Sequence, residues 1–146
     1  MHLVRLLDQQ IADAWPVIKY AVEQSVPPIA GESPEKMNNV LESLLLGKLQ
    51  CWVTADSPEI KQFRTVLTTR INTDDTTGTK TLLIFSMFSF VPQSSEDIDQ
   101  VHKTLVAFAK GNGCNRMLAY TQDENVLSIG RKYGMTTEWT MLTLDV

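Results

Sequence analysis

Residues 81–113 read TLLIFSMFSFVPQSSEDIDQVHKTLVAFAKGNG. The first ten are apolar at odd and even positions alike, the pattern of a strand covered on both faces. Val91-Pro92 stops that strand. Ser94 and Asp97 then stand at capping-pair spacing, so a helix starts at Ser94 or Ser95. Ile98, Val101, Leu105, Phe108 and Ala109 recur at helical intervals. Lys110 suits the negative end of the helix dipole, and Gly111-Asn112-Gly113 stops the helix. Cys114 to Tyr120 is β-rich again. A strand, a helix and a second strand in this order make a βαβ crossover with parallel strands.

Upstream, the cluster NTDDTTG at 72–78 is a turn between two β-rich runs, Phe63 to Ile71 and Thr79 to Val91. Together they predict an antiparallel hairpin. Gln50 to Ala55 predicts another strand, broken by Ser57-Pro58. His2 to Leu7 predicts the first. Asp8 caps a helix carrying Ile11, Trp15, Ile18 and Val22, with Trp15-Pro16 opening a second helical segment that ends at Val26-Pro27-Pro28. Ser33-Pro34-Glu35 starts a further helix with Met37, Val40, Leu41, Leu44 and Leu45 on one face and Gly47 as its stop. Downstream, Asn125 to Tyr133 is a short helix ending at Gly134, and Met135 to Val146 is a final strand. The expected fold is α/β in one domain, residues 1–146. A central mixed, mostly antiparallel sheet has helices on both faces and one parallel βαβ crossover.

Composition narrows the partners. Seventeen acidic and thirteen basic residues give a net charge of −4, and the cations are scattered, so nucleic acid is a poor fit. No apolar run approaches the roughly 20 residues of a membrane helix, and the N-terminus does not read as a signal peptide. The expected location is cytoplasmic, or host cytoplasm for a viral protein. Cys51 and Cys114 are far apart without a nearby histidine, the pattern of reduced thiols and not of a metal site.

The element order, together with LLIFSMFSFVP, GCNRMLAYT and KYGM, resembles the GCN5-related N-acetyltransferase family over nearly the whole chain. The motif match is best over Leu82 to Met135. The resemblance implies acetyl-CoA or another acyl-CoA as cofactor, a pyrophosphate cradle after the Val-x-Pro turn, and strand ends that part to admit the pantetheine arm. Carried onto this chain, it makes Ser89, Phe90, Val91, Ser94, Ser95, Tyr120 and Asn125 the candidate cofactor-binding residues. Gly130 stands where many members have the tyrosine that protonates the leaving thiolate. Tyr133 is then the one nearby candidate acid.

The chain departs from that pattern where the cofactor's phosphates would sit. The family loop is rich in glycine and basic residues, and glycine lets backbone N–H groups approach phosphate closely. Here the turn is QSSEDID, without glycine or base and with three acids. Its own serine and aspartate would take the N–H groups a pyrophosphate needs. The predicted central strand also carries no acid or histidine to serve as a general base. One expectation is an acetyltransferase-like protein without ordinary acetyl-CoA catalysis, acting by binding a protein or other ligand. Another is an active, divergent N-acyltransferase acting on a small amine or a peptide. A fainter resemblance to small acetyltransferase-like proteins of bacteriophages adds a structural or host-modifying role. Trp139, Met141, Leu142, Leu144 and Val146 put apolar side chains on both faces of the last predicted strand, which implies a homodimer through it.

Overall fold

The computed structural model describes residues 2–25, 34–56 and 62–146. Within them run β1 (His2–Arg5), α1 (Asp8–Ser25), α2 (Pro34–Leu45), β2 (Gln50–Ala55), β3 (Thr65–Thr73), β4 (Lys80–Ser89), α3 (Ser95–Gly111), β5 (Arg116–Ala119) and α4 (Glu124–Lys132). The strands form one sheet in the order β1-β2-β3-β4-β5. The first three pairings are antiparallel, and β4 pairs with β5 in parallel across α3. The mixed sheet and its crossover are as the sequence predicts. The breaks at Val26-Pro27-Pro28, Ser33 and Ser57-Pro58 lie outside the described residues.

Strand alternation divides the core in two. Cys51, Val53 and Val66 meet Ile11, Ile18, Ala21 and Val22 of α1 and Met37 and Leu44 of α2 on one face. Trp52, Leu67 and Leu82 meet Val101, Leu105 and Ala109 of α3 on the other. Helices therefore cover both faces, and each cluster excludes water from one side of the sheet. No helix among the described residues is long and apolar enough to cross a membrane.

Two predicted elements differ. α1 is one helix and Pro16 lies inside it. Proline removes the bond to the carbonyl four residues back, here Ala12. Both Ala12 and Pro16 are exposed, so water can take that carbonyl, while Ile11 and Ile18 hold the helix to the sheet from either side. The predicted final strand is absent: residues 135–146 are in no strand. Its side chains have the right pattern, but a strand needs a hydrogen-bonded neighbour, and here β5 pairs with β4 alone.

Candidate functional site

β4 contains one residue too many for β3. Thr69 faces Ile84 and Thr68 faces Ser86, so Phe85 has no partner. This bulge explains how Phe85 and Phe88, three apart, both pack on the α1 face, which a regular strand would forbid. Pairing with β5 ends at the same place, with Ile84 opposite Ala119. Beyond it β4 runs on to Ser89 without β5 beside it. Phe90 N–H donates to the Arg64 carbonyl at 2.8 Å. Alternation then turns the backbone groups of Met87 and Ser89 away from β3, into the opening between the parallel strands. Ligands of open α/β sheets bind at such strand ends.

At the far side of the opening, α3 begins with a complete capping box. The Ser94 hydroxyl accepts from Asp97 N–H at 3.1 Å, and Ser94 N–H donates to Asp97 Oδ2 at 3.1 Å. Asp97 is 5% exposed. Arg64 reaches it from the start of β3 at 3.4 Å and Asp56 at 2.9 Å. The hydrogen bond the guanidinium donates to Asp56, and then the charge of Asp97, hold it still more firmly protonated than usual. The sequence presents Arg64 only as one of several scattered cations. Its position neutralises one of the three acids of QSSEDID. What remains is geometric: the Asp97 amide is bonded to the Ser94 side chain.

The candidate residues separate into groups. Ser89 is bonded to Thr65, Oγ to Oγ, at 3.0 Å. Thr65 Oγ1 also accepts from Gln93 Nε2 at 3.0 Å. Phe90 is half exposed and stacks on Tyr20 of α1, with centroids 6.2 Å apart. Val91 is exposed at the turn, Ser95 is exposed in the first turn of α3, and Tyr120 is exposed just past β5. Asn125 lies on α4, its N–H donating to the N-cap Asp123 at 2.8 Å.

Tyr133 points to α3. Its hydroxyl donates to Asp99 and its ring stacks on His102 with centroids 4.5 Å apart. The Asp99 hydrogen bond, first of all, raises the phenol above its ordinary value, so it stays protonated. The α4 end that presents it is fixed by Gly134, which at φ 85° accepts a conformation costly to other residues. Met135 N–H then closes on the Gly130 carbonyl at 2.9 Å, the Schellman pattern. A side chain at Gly130 would begin in contact with Met135 Sδ, 3.5 Å away.

A groove of about 560 Å³ lies between α1 and the ends of the hairpin, lined by Leu6, Gln10, Asp13, Val17, Phe63 and Phe90 among others. Among the described residues of its lining Asp13 alone is charged, and it accepts from Gln9 Nε2 at 2.9 Å. Gln10, Asp13, Ala14 and Val17 stand at helical spacing along the border of the α1 core stripe, with Ala14 itself packed on the core, so their spacing merges with the core pattern and does not mark a groove. Among the described residues no group of three His, Cys, Asp or Glu side chains could hold a metal ion.

No protein-family model matches this chain, and no curated protein matches it in sequence. Solved structures match it over nearly their whole length. A ribosomal-protein-alanine N-acetyltransferase from Brucella melitensis biovar Abortus 2308 is 7% identical, with all of both chains covered and a TM-score of 0.70. AAC(6')-Iy in complex with the bisubstrate analogue CoA-S-monomethyl-acetylneamine is 15% identical, covering 100% of this chain and 99% of that one, with a TM-score of 0.69. A Clostridium acetobutylicum protein, named a predicted acetyltransferase and solved with acetyl-CoA, is 16% identical over 97% and 95% of the two chains, with a TM-score of 0.67. With the bulged, parting β4 and β5 and the helices on both faces, this chain has the fold of the GCN5-related N-acetyltransferases.

Proposed function

We propose that this acetyltransferase-like protein works by binding an amine-bearing peptide or protein segment, without ordinary acetyl-CoA catalysis. The observation that carries the reading is the closed capping box at α3, with buried Asp97 tied to Arg64. A phosphate approaching that helix end would have to displace a side chain already bonded there, and would meet exposed Glu96 as well. Tyr133, held on Asp99, and Gly130, in contact range of Met135, add to it. The groove beside α1 supports the binding half. Phe63, Phe90 and Val17 offer apolar surface, and Asp13 is a single carboxylate for a cation. Isothermal calorimetry with acetyl-CoA and with CoA tests the reading: no measurable heat is expected for either, and micromolar affinity would sink it.

One observation favours a second reading, an active divergent N-acyltransferase. The opening beside Met87 and Ser89 leaves backbone groups able to pair with an extended ligand, and structural neighbours include complexes with acetyl-CoA and a CoA analogue. On this reading Tyr133, kept protonated, is the general acid. Acyl transfer to an amine or peptide panel should then be measurable and fall by about 10²–10⁴-fold in Tyr133→Phe. No transfer to any acceptor, or an unchanged rate in the variant, removes that role.

A further inference from the structure

Beyond Ile84, β4 is paired on one side only. Its ladder with β3 continues to Ser89, while β5 stops at Ala119, opposite Ile84. Among the described residues no strand pairs with the other side of β4 past that point. The N–H and C=O groups of Met87 and Ser89 point to that side, two donors and two acceptors over about 7 Å. Such an edge takes an extended chain as an added strand, whatever its side chains. A polypeptide satisfies donors and acceptors alike, whereas a polyamine has no carbonyl for the donors.

The rim of the opening selects by charge. Positions 87–99 and 119–125 contain no lysine or arginine. Glu96 is exposed in the first turn of α3, and Asp123 and Glu124 are exposed at the start of α4, just beyond β5. Asp97 is buried on Arg64 and Asp99 is held by Tyr133, so neither counts toward the rim. The N-termini of α3 and α4 each carry about half a positive charge. Three exposed carboxylates outweigh that sum, and the rim attracts cations. Arg131 and Lys132 lie at the other end of α4, about 12 Å along the helix from Glu124. Met87, Val91 and Tyr120 add exposed apolar surface.

We infer that the opening between β4 and β5 is a slot for an extended, lysine- or arginine-bearing polypeptide segment, paired as a strand with Met87 and Ser89. The inference rests on the reading of this chain as a peptide binder and gives that reading a site, a binding mode and a sign of charge. Alternate residues of the incoming strand fall on opposite faces of the sheet. Those on the α3 face carry positive charge toward Glu96, and those on the α1 face run past Phe88, which packs there. Phe90 follows Ser89 and lines the groove at Asp13, so slot and groove adjoin.

The probe is a short peptide of alternating lysine and valine, blocked at both ends, titrated into the isotope-labelled full chain and followed by NMR. The amides of Met87 and Ser89 should shift. The glutamate counterpart and the fully N-methylated lysine peptide should leave them in place. Glu96→Lys with Glu124→Lys should weaken binding about tenfold with an unchanged circular dichroism spectrum, since both side chains are exposed. Shifts confined to Asp13, Val17 and Phe63 would overturn the slot and leave the peptide-binding reading standing. Acetyl-CoA shifting Met87 and Ser89 would overturn both. The slot also falls if the lysine peptide shifts nothing, if the glutamate or N-methylated peptide binds equally well, or if the double variant binds as the parent does. Contacts in the free protein between residues 139–144 and Met87, or shifts at Met87 on dilution, would assign the edge to the chain itself or to a second copy and overturn it likewise.

Discussion

Trp52→Ala should lower the unfolding free energy by about 3–5 kcal/mol, the range for truncating a large buried aromatic. Trp52 is 5% exposed at the centre of the α3 face. Its ring meets Phe108 of α3 edge-on, centroids 5.0 Å apart, and its Nε1–H donates to Thr69 Oγ1 at 2.9 Å. That hydroxyl donates in turn to Gln50 Oε1 at 2.9 Å, so one side chain binds β2 to β3 and the sheet to α3. Trp52→Phe separates the parts. It keeps most of the apolar contact and loses the hydrogen bond, and should cost about 1–2 kcal/mol. Urea unfolding of the three proteins measures both. An alanine variant losing less than about 1.5 kcal/mol would mean that α3 packs without this contact.

Alkaline solution should weaken the fold through Cys51. Its thiol is fully buried between β2 and the α1 layer, and burial pushes its pKa from 9.0 to about 12. The raised value means that the folded protein keeps the proton while the unfolded chain releases it. The stabilisation is fully present below pH 9 and is lost as pH rises toward 12. A shift of that size corresponds to roughly 4 kcal/mol across the window. Cys51→Ala removes this component at some cost in packing, so its stability should fall less steeply between pH 9 and 11 than that of the parent. Parallel slopes would show that the thiolate is accommodated in the folded state. Alkylation gives an independent reading: Cys114, half exposed in the structure, should react first and Cys51 only on unfolding.

Much of the architecture is legible in the sequence because local rules and the global fold agree there. Gln50–Ala55 is the predicted strand residue for residue. Ser94 and Asp97 cap α3 as their spacing requires, and the parallel step from β4 to β5 follows from the helix between them. Pro16 misleads because its cost depends on whether the freed carbonyl can reach water, which only the packed helix decides. The last strand misleads because periodicity describes a surface and not its partner. The groove at Asp13 and the ion pair of Arg64 with Asp97 join residues far apart in the chain: Leu6 with Phe90, and position 64 with position 97. No local pattern encodes such distances. The candidate site was thus readable where it is made of one turn and unreadable where it is made of three.

The unpartnered Phe85 also bears on how this chain can change in length. Remove Phe85 and the bulge can close, restoring an unbroken ladder with β3 in which every other residue keeps its partner and its face. The closed ladder would let β4 lie flat beside β5 and narrow the opening. Insertion of one residue in the same stretch has no such remedy, because Ser86, Phe88 and everything up to the turn would change faces. The hairpin loop at 74–78 is exposed and has no such constraint. Length variation that spares the fold therefore belongs in that loop, and loss of Phe85 would remodel the cleft while leaving the paired core residues of β4 in place.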